Sequence, residues 1–189
     1  MSPIDITRFH LPSMRRLAPV VLALALGGGT SLPAKARPEL LKAGAQAPEF
    51  SIDAAGGGTM QLSSQLGKVV VLDFWATWCP PCQKSLPHLE SVARAVAGQN
   101  VVVLGLCVMD DRANFDAWMQ KNRANFSFKF AFDPAGRNPG PTLASRYFVN
   151  GIPTTYIIDP KGRVAETIVG FSPGDTRVEA ALRKLGVKI

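Results

Sequence analysis

Two cysteines separated by two residues are the part of this 189-residue sequence best suited to chemistry. They are Cys79 and Cys82, and two prolines stand between them. A disulfide with this spacing closes a loop too short to constrain the unfolded chain much, so a structural role explains it poorly. The spacing indicates a chemical role instead, either thiol-disulfide exchange or metal binding.

Thiol-disulfide exchange requires a cysteine that ionises easily, because only the thiolate attacks a disulfide. Cys79 stands between a predicted buried strand and a predicted helix, where free backbone amides and the helix dipole favour a thiolate. We therefore predict that Cys79 is the exposed nucleophile. Cys82 follows one helical turn later, and we predict that it is the buried thiol that resolves the mixed disulfide.

A zinc site is the alternative interpretation of the cysteine pair, and it needs two further ligands. After the N-terminal segment the sequence offers only Cys107, at the end of a predicted strand, and His88, on the same predicted helix as Cys82. The strand before the pair and the helix after it favour redox use. Cys107 is predicted to pack as a small hydrophobic residue, and His88 to be a surface or capping residue.

Asp73 is the most informative residue outside the pair. It interrupts an apolar run six residues before Cys79, and burial disfavours the charged form of a carboxyl group. Such a residue needs a function or a partner, and we predict that it takes the proton from Cys82 when that thiol attacks. An ordinary surface acid, or an acid paired with Lys68, is the alternative.

The elements that must position these residues alternate between strands and helices. The run Val69–Trp75 is too apolar for a surface strand and predicts a central strand covered on both faces. A helix is predicted from Pro80 to about Ala97, because proline is tolerated in a first turn whose amides lack partners. Pro87 lies inside this helix and predicts a kink.

The rest of the chain continues the alternation. Further strands are predicted at residues 47–53, 59–62, 101–108, 128–132, 154–159 and 164–169, and further helices at residues 112–122, 142–147 and 173–185. The first two strands form a predicted N-terminal hairpin, and Pro160-Lys161-Gly162 is a predicted hairpin turn. On the helix over 112–122, Phe115, Trp118 and Met119 are the predicted buried face. The pattern predicts an α/β fold with a central mixed sheet and helices on both faces.

The N-terminus has the layout of an export signal. Basic residues at Arg8, Arg15 and Arg16 precede an apolar stretch over residues 17–26, and small residues follow at Ala34-Lys35-Ala36. We predict that residues 1–36 are a cleaved signal peptide and that residues 37–189 form one domain, so the protein is periplasmic or otherwise exported. An uncleaved anchor is the alternative, although the stretch is shorter than the roughly 20 residues that span a bilayer.

The formal net charge of +7 does not by itself indicate a nucleic-acid partner. Residues 1–36 hold four basic residues against one acid, a net of +3, which leaves +4 for the predicted domain. The remaining basic residues are scattered singly among acids and are not clustered with aromatic residues. No nucleic-acid partner is therefore predicted.

Two motifs make a family resemblance specific. The segment from Asp73 to Cys82, together with the segment from Gly151 to Asp159, resembles the TlpA/ResA-like branch of the thioredoxin superfamily. The opening Ala47-Pro48-Glu49-Phe50 and the Gly67-Lys68 entry to the central strand belong to the same resemblance, which extends from about Gly44 to Gly170. It implies a three-layer thioredoxin-like fold with a central strand and helix insertion.

The resemblance also implies a function and a site. It implies a thiol-disulfide oxidoreductase with a redox-active Cys79–Cys82 disulfide and no other cofactor. The implied substrate-binding residues are Trp78, Pro80, Ile152 and Pro153. Pro153 is expected in the cis form, with Ile152 offering its backbone to an extended substrate. Trp78 is expected to pack beside the site, and residues 108–130 are expected to contain the inserted strand and helix.

The implied partners are protein disulfides and a membrane-bound electron donor, since members of this kind are usually reductants; we expect a monomer. Two positions depart from cytochrome-maturation relatives. ResA proteins typically hold a glutamate where Ser85 stands, and CcmG/DsbE proteins usually hold one where Thr154 stands. Reduction of apocytochrome c is therefore possible but not indicated.

Two other functions remain as alternatives. A copper-binding maturation factor of the Sco type carries a longer cysteine spacing and a distant histidine, whereas no histidine follows His88 here. A thiol peroxidase carries a single peroxidatic cysteine after a loop with proline and threonine, whereas Leu72 and Ala76 occupy the corresponding places.

Overall fold

A computed structural model describes residues 39–138 and 140–189. The predicted signal peptide over residues 1–36 lies outside the described residues, so its boundary with the domain stays a prediction. Within the part of the chain that the structure describes, no helix is both long and apolar enough to cross a membrane.

A short hairpin comes first. It consists of β1 (Ser51–Asp53) and β2 (Thr59–Gln61), which pair antiparallel. The main sheet follows, and its strands and helices come in this order: β3 (Val69–Trp75), α1 (Pro80–Ala95), β4 (Val101–Cys107), α2 (Arg112–Asn122), β5 (Lys129–Phe132), α3 (Leu143–Arg146), β6 (Thr154–Ile158), β7 (Val164–Val169) and α4 (Arg177–Lys184). The predicted alternation and the predicted N-terminal hairpin are confirmed.

The main sheet is mixed, with strand order β5-β4-β3-β6-β7. β3, β4 and β5 run parallel, whereas β6 is antiparallel to both β3 and β7. The carboxyl ends of β3 and β4 therefore meet at one edge of the sheet, where the loop to Cys79 begins. β5 and the preceding α2 form the implied insertion, and this strand runs to Phe132, two residues beyond the expected range.

β3 is buried along its whole length, as predicted for a central strand. Its side chains alternate between two cores. Val69, Val71 and Trp75 join the core with α1, α2 and α4, whereas Val70, Leu72 and Phe74 join the core with the hairpin and α3. Helices thus cover both faces of the sheet, and the predicted thioredoxin-like three-layer fold is confirmed. Phe115 is buried in the first core, and Trp118 and Met119 pack partly buried against it.

Two helix ends differ from the prediction. α1 ends at Ala95 rather than about Ala97, because a turn with Gly98 at φ 79° terminates it. α4 begins at Arg177 rather than Pro173, because Asp175 accepts a hydrogen bond of 3.1 Å from the backbone N–H of Arg177 and ends the preceding turn. Pro87 lies inside α1 on its exposed side, and the kink there stays a prediction.

Candidate active site

The two cysteines of the motif form a disulfide at the first turn of α1. Cys79 is the N-cap residue, and its sulfur accepts a hydrogen bond of 3.2 Å from the backbone N–H of Cys82. Pro80 and Pro81 occupy the next two positions, where a missing N–H removes no helical hydrogen bond. The same four residues therefore begin the helix and place the Cys79 sulfur at its positive end, where a thiolate is favoured.

Cys79 is less accessible than the sequence suggests. It is 3 % exposed, whereas Cys82 is 0 % exposed. Cys82 is therefore the more buried of the two, as predicted, but the prediction of an exposed nucleophile is wrong for this oxidised form. The carbonyl oxygen of Ile152 lies 3.8 Å from the Cys79 sulfur and covers it. A sulfur in a disulfide carries no hydrogen, so this is a contact, which can become a hydrogen bond only after reduction.

The loop over Cys79 contains a cis peptide bond between Ile152 and Pro153, as the resemblance implies. Pro153 is buried and immediately precedes β6, the neighbour of β3 in the sheet. The Thr154 hydroxyl donates a hydrogen bond of 2.7 Å to the carbonyl oxygen of Gly151 and closes the loop. The sheet thus brings this loop to the cysteines, and the role of Ile152 and Pro153 in substrate binding stays a prediction.

Trp78 lies on the surface directly before Cys79, with half of its area exposed. Its indole N–H donates a hydrogen bond of 2.9 Å to the carbonyl oxygen of Met109, and the guanidinium of Arg137 lies 5.9 Å from its ring centroid. The ring is therefore held beside the site, as expected, while one part of it remains open to solvent. Pro80 is also exposed. Contact of Trp78 and Pro80 with a substrate stays a prediction.

Asp73 is fully buried, and the interpretation as a surface acid is wrong. Its partner is not Lys68, whose amine instead bonds Gln65 at 3.4 Å. The Thr155 hydroxyl on β6 donates a hydrogen bond of 2.7 Å to Oδ1, while Oδ2 has no partner. Burial raises the pKa of Asp73 to about 7, although the hydrogen bond from Thr155 acts in the opposite direction.

The side of β3 on which Asp73 lies matters for its predicted role. Side chains alternate along a strand, so Asp73 shares the face of Val71 and Trp75. Those two residues belong to the same core as Cys82, which lies on α1. Asp73 thus lies on the face of the sheet that packs against the core containing Cys82, and proton transfer from Cys82 stays a prediction.

Asp110 is a site residue that the sequence reasoning missed. It is 0 % exposed, and one of its oxygens accepts hydrogen bonds of 2.7 Å from both the backbone N–H and the hydroxyl of Thr77. Burial raises its pKa, but the bonds from Thr77, Asp111 and Asn114 outweigh burial and hold the pKa below its usual range. The sequence did contain a signal for Asp110. It is an acid that closely follows β4, and the carboxyl ends of the parallel strands β3 and β4 lie together beside the cysteine loop.

Cys107 and His88 complete the set of predicted residues. Cys107 is buried and unbonded to another cysteine, and burial raises its pKa, which fits the predicted packing role. The capping role predicted for His88 is wrong, and the predicted surface position holds only in part. Its side chain is 21 % exposed in the middle of α1, with Nε2 3.4 Å from Glu179 Oε2 on α4. In the residues described, no group of three or more His, Cys, Asp or Glu side chains could hold a metal ion.

This arrangement suits exchange between disulfides. A thiolate at the start of a helix can attack a second disulfide, and a neighbouring thiol one turn later can complete the exchange. The fold and the cysteine pair together define a thioredoxin-like thiol-disulfide oxidoreductase.

Sequence comparison supports this class. A sequence model of the AhpC/TSA family matches residues 43–167, and the chain belongs to this family as a TlpA/ResA-like member. The thiol-disulfide oxidoreductase ResA of Bacillus subtilis is 29 % identical over 151 residues, which cover 80 % of each chain. The thioredoxin-like protein YneN of the same species is 32 % identical over 130 residues, covering 69 % of this chain and 73 % of YneN.

Solved structures of thiol-disulfide and thioredoxin proteins are similar to this chain in both sequence and fold. A Chlorobium tepidum protein assigned as the thiol:disulfide interchange protein DsbE is 30 % identical, with a TM-score of 0.64 over 77 % of this chain and 98 % of its own. The exposed lipoprotein thioredoxin Etrx1 of Streptococcus pneumoniae is also 30 % identical, with a TM-score of 0.61 over 72 % of this chain and 99 % of its own.

Proposed function

We propose that this chain is an exported reductant of disulfides in secreted or periplasmic proteins. The observation that carries the proposal is the Cys79–Cys82 disulfide at the start of α1, where the N–H of Cys82 points at the Cys79 sulfur. In the reduced protein the Cys79 thiolate attacks a client disulfide. A Cys79–client disulfide forms, and the other client sulfur leaves as a thiolate.

The second half of the reaction uses Cys82 and Asp73. The Cys82 sulfur attacks Cys79, the bond to the client breaks, and the Cys79–Cys82 disulfide is restored. Asp73 takes the Cys82 proton, because its unpartnered Oδ2 is free to accept and a pKa of about 7 suits a base at neutral pH. The client gains two electrons and leaves with both of its sulfurs reduced.

The direction of electron flow is proposed from the charges around the pair. Asp73 is buried on the sheet face that packs against the core of Cys82, and Asp110 holds the loop that precedes the cysteines through Thr77. Negative charge at either carboxyl group opposes part of the stabilisation that the start of α1 gives the Cys79 thiolate. A protein whose reduced form is not stabilised gives up its electrons readily, whereas a stabilised reduced form makes a strong oxidant. We propose that a membrane-bound donor then reduces the pair again, and that the protein acts as a monomer.

Export is proposed from the layout of residues 1–36. Basic residues, a short apolar stretch and a small-residue site stand in the order of a cleavable signal, with Arg37 as the first residue afterwards. The similarity to an exposed lipoprotein thioredoxin supports this location. An uncleaved N-terminal anchor remains the second possibility for this segment.

Trapping tests both the reaction and the location. A Cys82→Ser variant of the full chain should accumulate disulfides with its clients, because the resolving thiol is missing. Clients released by reductant are identified by mass spectrometry, and most of them should be exported proteins. A variant lacking both Cys79 and Cys82 keeps Cys107 and is the matched control. Recovery of no client, or of the same proteins with the control, would contradict the reaction, and purely cytosolic clients would contradict export.

The reduction potential tests the direction. Equilibration with thiol-disulfide buffers should place the Cys79–Cys82 pair near about −270 mV, at the reducing end of the range for these folds. A potential near about −120 mV would identify an oxidant instead.

A further inference from the structure

The turn that leads into Cys79 is fastened to several neighbours. A hydrogen bond of 3.2 Å from the backbone N–H of Cys79 to the carbonyl oxygen of Ala76 closes it. Thr77 and Trp78 are therefore its central residues. Asp110 accepts hydrogen bonds from the backbone N–H and the hydroxyl of Thr77. Those two bonds do not involve the carbonyl oxygen of Thr77, which has a different partner.

That partner is Gln83, the fourth residue of α1. Its side-chain nitrogen Nε2 donates a hydrogen bond of 3.1 Å to the carbonyl oxygen of Thr77. Its backbone N–H donates another, also of 3.1 Å, to the carbonyl oxygen of Cys79. One residue therefore holds the carbonyl groups on both sides of Trp78, and its two bonds join the turn to the helix that follows.

The orientation of the Gln83 amide is set by Trp118 on α2. The indole N–H of Trp118 donates a hydrogen bond of 3.1 Å to Oε1 of Gln83. An indole N–H can only donate and a peptide carbonyl can only accept, so an amide between them satisfies both in one orientation alone. The amide oxygen faces Trp118 and the amide nitrogen faces Thr77. A reversed amide would place two donors together at one end and two acceptors at the other.

Trp118 is itself held by aromatic neighbours. Its ring centroid lies 4.5 Å from that of Trp75, 5.3 Å from that of Phe130 and 5.7 Å from that of Phe126. Aromatic pairs at such separations contribute stability beyond the area that they bury. A continuous set of contacts therefore leads from the inserted helix α2 and strand β5 to the turn before Cys79.

We propose that Gln83 and Trp118 are positioning residues for thiol-disulfide exchange, which keep Cys79 where the start of α1 stabilises its thiolate. The Cys79 sulfur accepts a hydrogen bond of 3.2 Å from the backbone N–H of Cys82, and this contact depends on Cys79 remaining at the N-cap. A turn that is free to move weakens the contact. Both side chains act through Thr77 and are not catalytic residues. The inference requires only the exchange reaction of this class of protein, not the proposed direction of electron flow.

The test measures the ionisation of Cys79 in the reduced full chain. Iodoacetamide alkylates the thiolate, so its rate with Cys79 from about pH 4 to 10 shows an inflection where that thiol ionises. Mass spectrometry of the alkylated peptide separates Cys79 from the other two cysteines. Gln83→Met removes both side-chain hydrogen bonds without changing the charge. Its inflection should move to higher pH, and below both inflections its rate should fall about threefold to tenfold, the effect of weakening one hydrogen bond to the thiolate.

The shape of the profile separates positioning from a general loss of structure. Above both inflections Cys79 is fully ionised, and a more basic thiolate is at least as nucleophilic. The Gln83→Met rate should therefore equal or slightly exceed the wild-type rate in that range. An inflection that stays at the wild-type pH would overturn the proposal, even if the rate fell throughout.

A second variant and a control test the part played by Trp118. Trp118→Phe keeps an aromatic ring in the cluster and removes the N–H that orients Gln83. Its inflection should move in the same direction, and adding it to Gln83→Met should cause no further shift, whereas independent effects would add. Gln61→Met makes the same substitution at an exposed position of the N-terminal hairpin and should match the wild type. An additive double variant, or an equal shift in Gln61→Met, would contradict the proposal.

Attack on a disulfide-bonded peptide extends the test to the exchange itself. The Cys79 thiolate forms a disulfide with one peptide sulfur, and the other peptide sulfur leaves as a thiolate. The Gln83→Met rate should show the same displacement in pH as alkylation does. A wild type that attacks no peptide at any pH would contradict the proposed function. A wild type that reacts, with a Gln83→Met profile that coincides with its own, would contradict only the positioning role.

Discussion

Replacing Asp73 by asparagine is expected to slow the resolving step by about a hundredfold at neutral pH, the low end of the range for general acid–base catalysis. Asparagine keeps the size of the side chain but cannot accept the Cys82 proton. The wild-type rate should rise as Asp73 ionises around its pKa of about 7, and the variant should lack this rise. Peptide release from Cys79, measured across pH, gives both quantities.

The control for this experiment is an exposed acid. Asp116 on α2 pairs with Arg112 on the surface, and its side chain is 54 % exposed. Asp116→Asn removes the same charge without touching the site, so its pH profile should match the wild type. A variant of Asp73 that keeps the rate and its inflection would show that another group accepts the proton.

The same Asp73 substitution should stabilise the protein at high pH. The folded pKa of about 7 exceeds the unfolded value of about 3.9, so the folded state prefers the protonated form. The contribution of neutral Asp73 to stability is complete below about pH 4 and is lost as pH rises through about 7. Above that pH the wild type bears an ionisation penalty on the order of 4 kcal/mol, which the asparagine variant avoids.

Urea unfolding of the oxidised proteins measures this gain. The free energy of unfolding should favour Asp73→Asn at about pH 8, and most of the difference should vanish at about pH 4. An equal gain at both values would mean that packing, not ionisation, causes it. Slower catalysis with higher stability at alkaline pH is the pattern expected when a buried acid is kept for function.

The second large effect is expected from Asp110→Ala, which should lower the free energy of unfolding by about 3–5 kcal/mol. This is the cost typical of removing one partner from a buried charged network. The backbone N–H and hydroxyl of Thr77 and the N–H of Asp111 would lose their acceptor. Because the pKa of Asp110 is lowered, its contribution is present above the unfolded value and is lost as pH falls through the folded one. Urea unfolding at neutral pH, with an unchanged m-value, measures the loss.

The neighbouring residue is the matched control. Asp111 precedes α2 with its side chain 59 % exposed, and it makes only a surface ion pair with Arg137. Asp111→Ala should change the free energy of unfolding by no more than about 0.5 kcal/mol. Equal losses for the two substitutions would show that Asp110 does not fasten the loop before Cys79.

The two acids differ in what folding does to them. Asp110 receives hydrogen bonds from both sides of its carboxylate and remains charged inside the protein. Asp73 receives one hydrogen bond and keeps one oxygen without a partner, which favours its neutral form. The first is suited to holding the active-site loop, and the second to exchanging a proton. Their roles follow from the number of donors around each one, which the apolar neighbours in sequence do not reveal.

Much of the fold was predictable from the sequence because local patterns determine it. β3, α2 and β7 have the bounds that the pattern of apolar residues predicts, since side-chain periodicity is strict where an element packs against a core. The ends of α1 and α4 were less predictable. They depend on a turn at Gly98 and on the carboxylate of Asp175, and neither feature changes the periodicity.

The cysteine pair was predictable for the same local reason, because three positions along a helix bring Cys79 and Cys82 together without help from the rest of the chain. The sequence by itself thus determined the alternation of strands and helices, the central strand and the disulfide. Only the tertiary structure decided that Ile152 covers Cys79 from 73 residues away, that Thr155 binds Asp73 across 82 residues, and that Asp110 holds Thr77 across 33. The periodicity of a segment depends on its own residues, whereas the partners of a buried polar group come from other elements and depend on how the sheet places them.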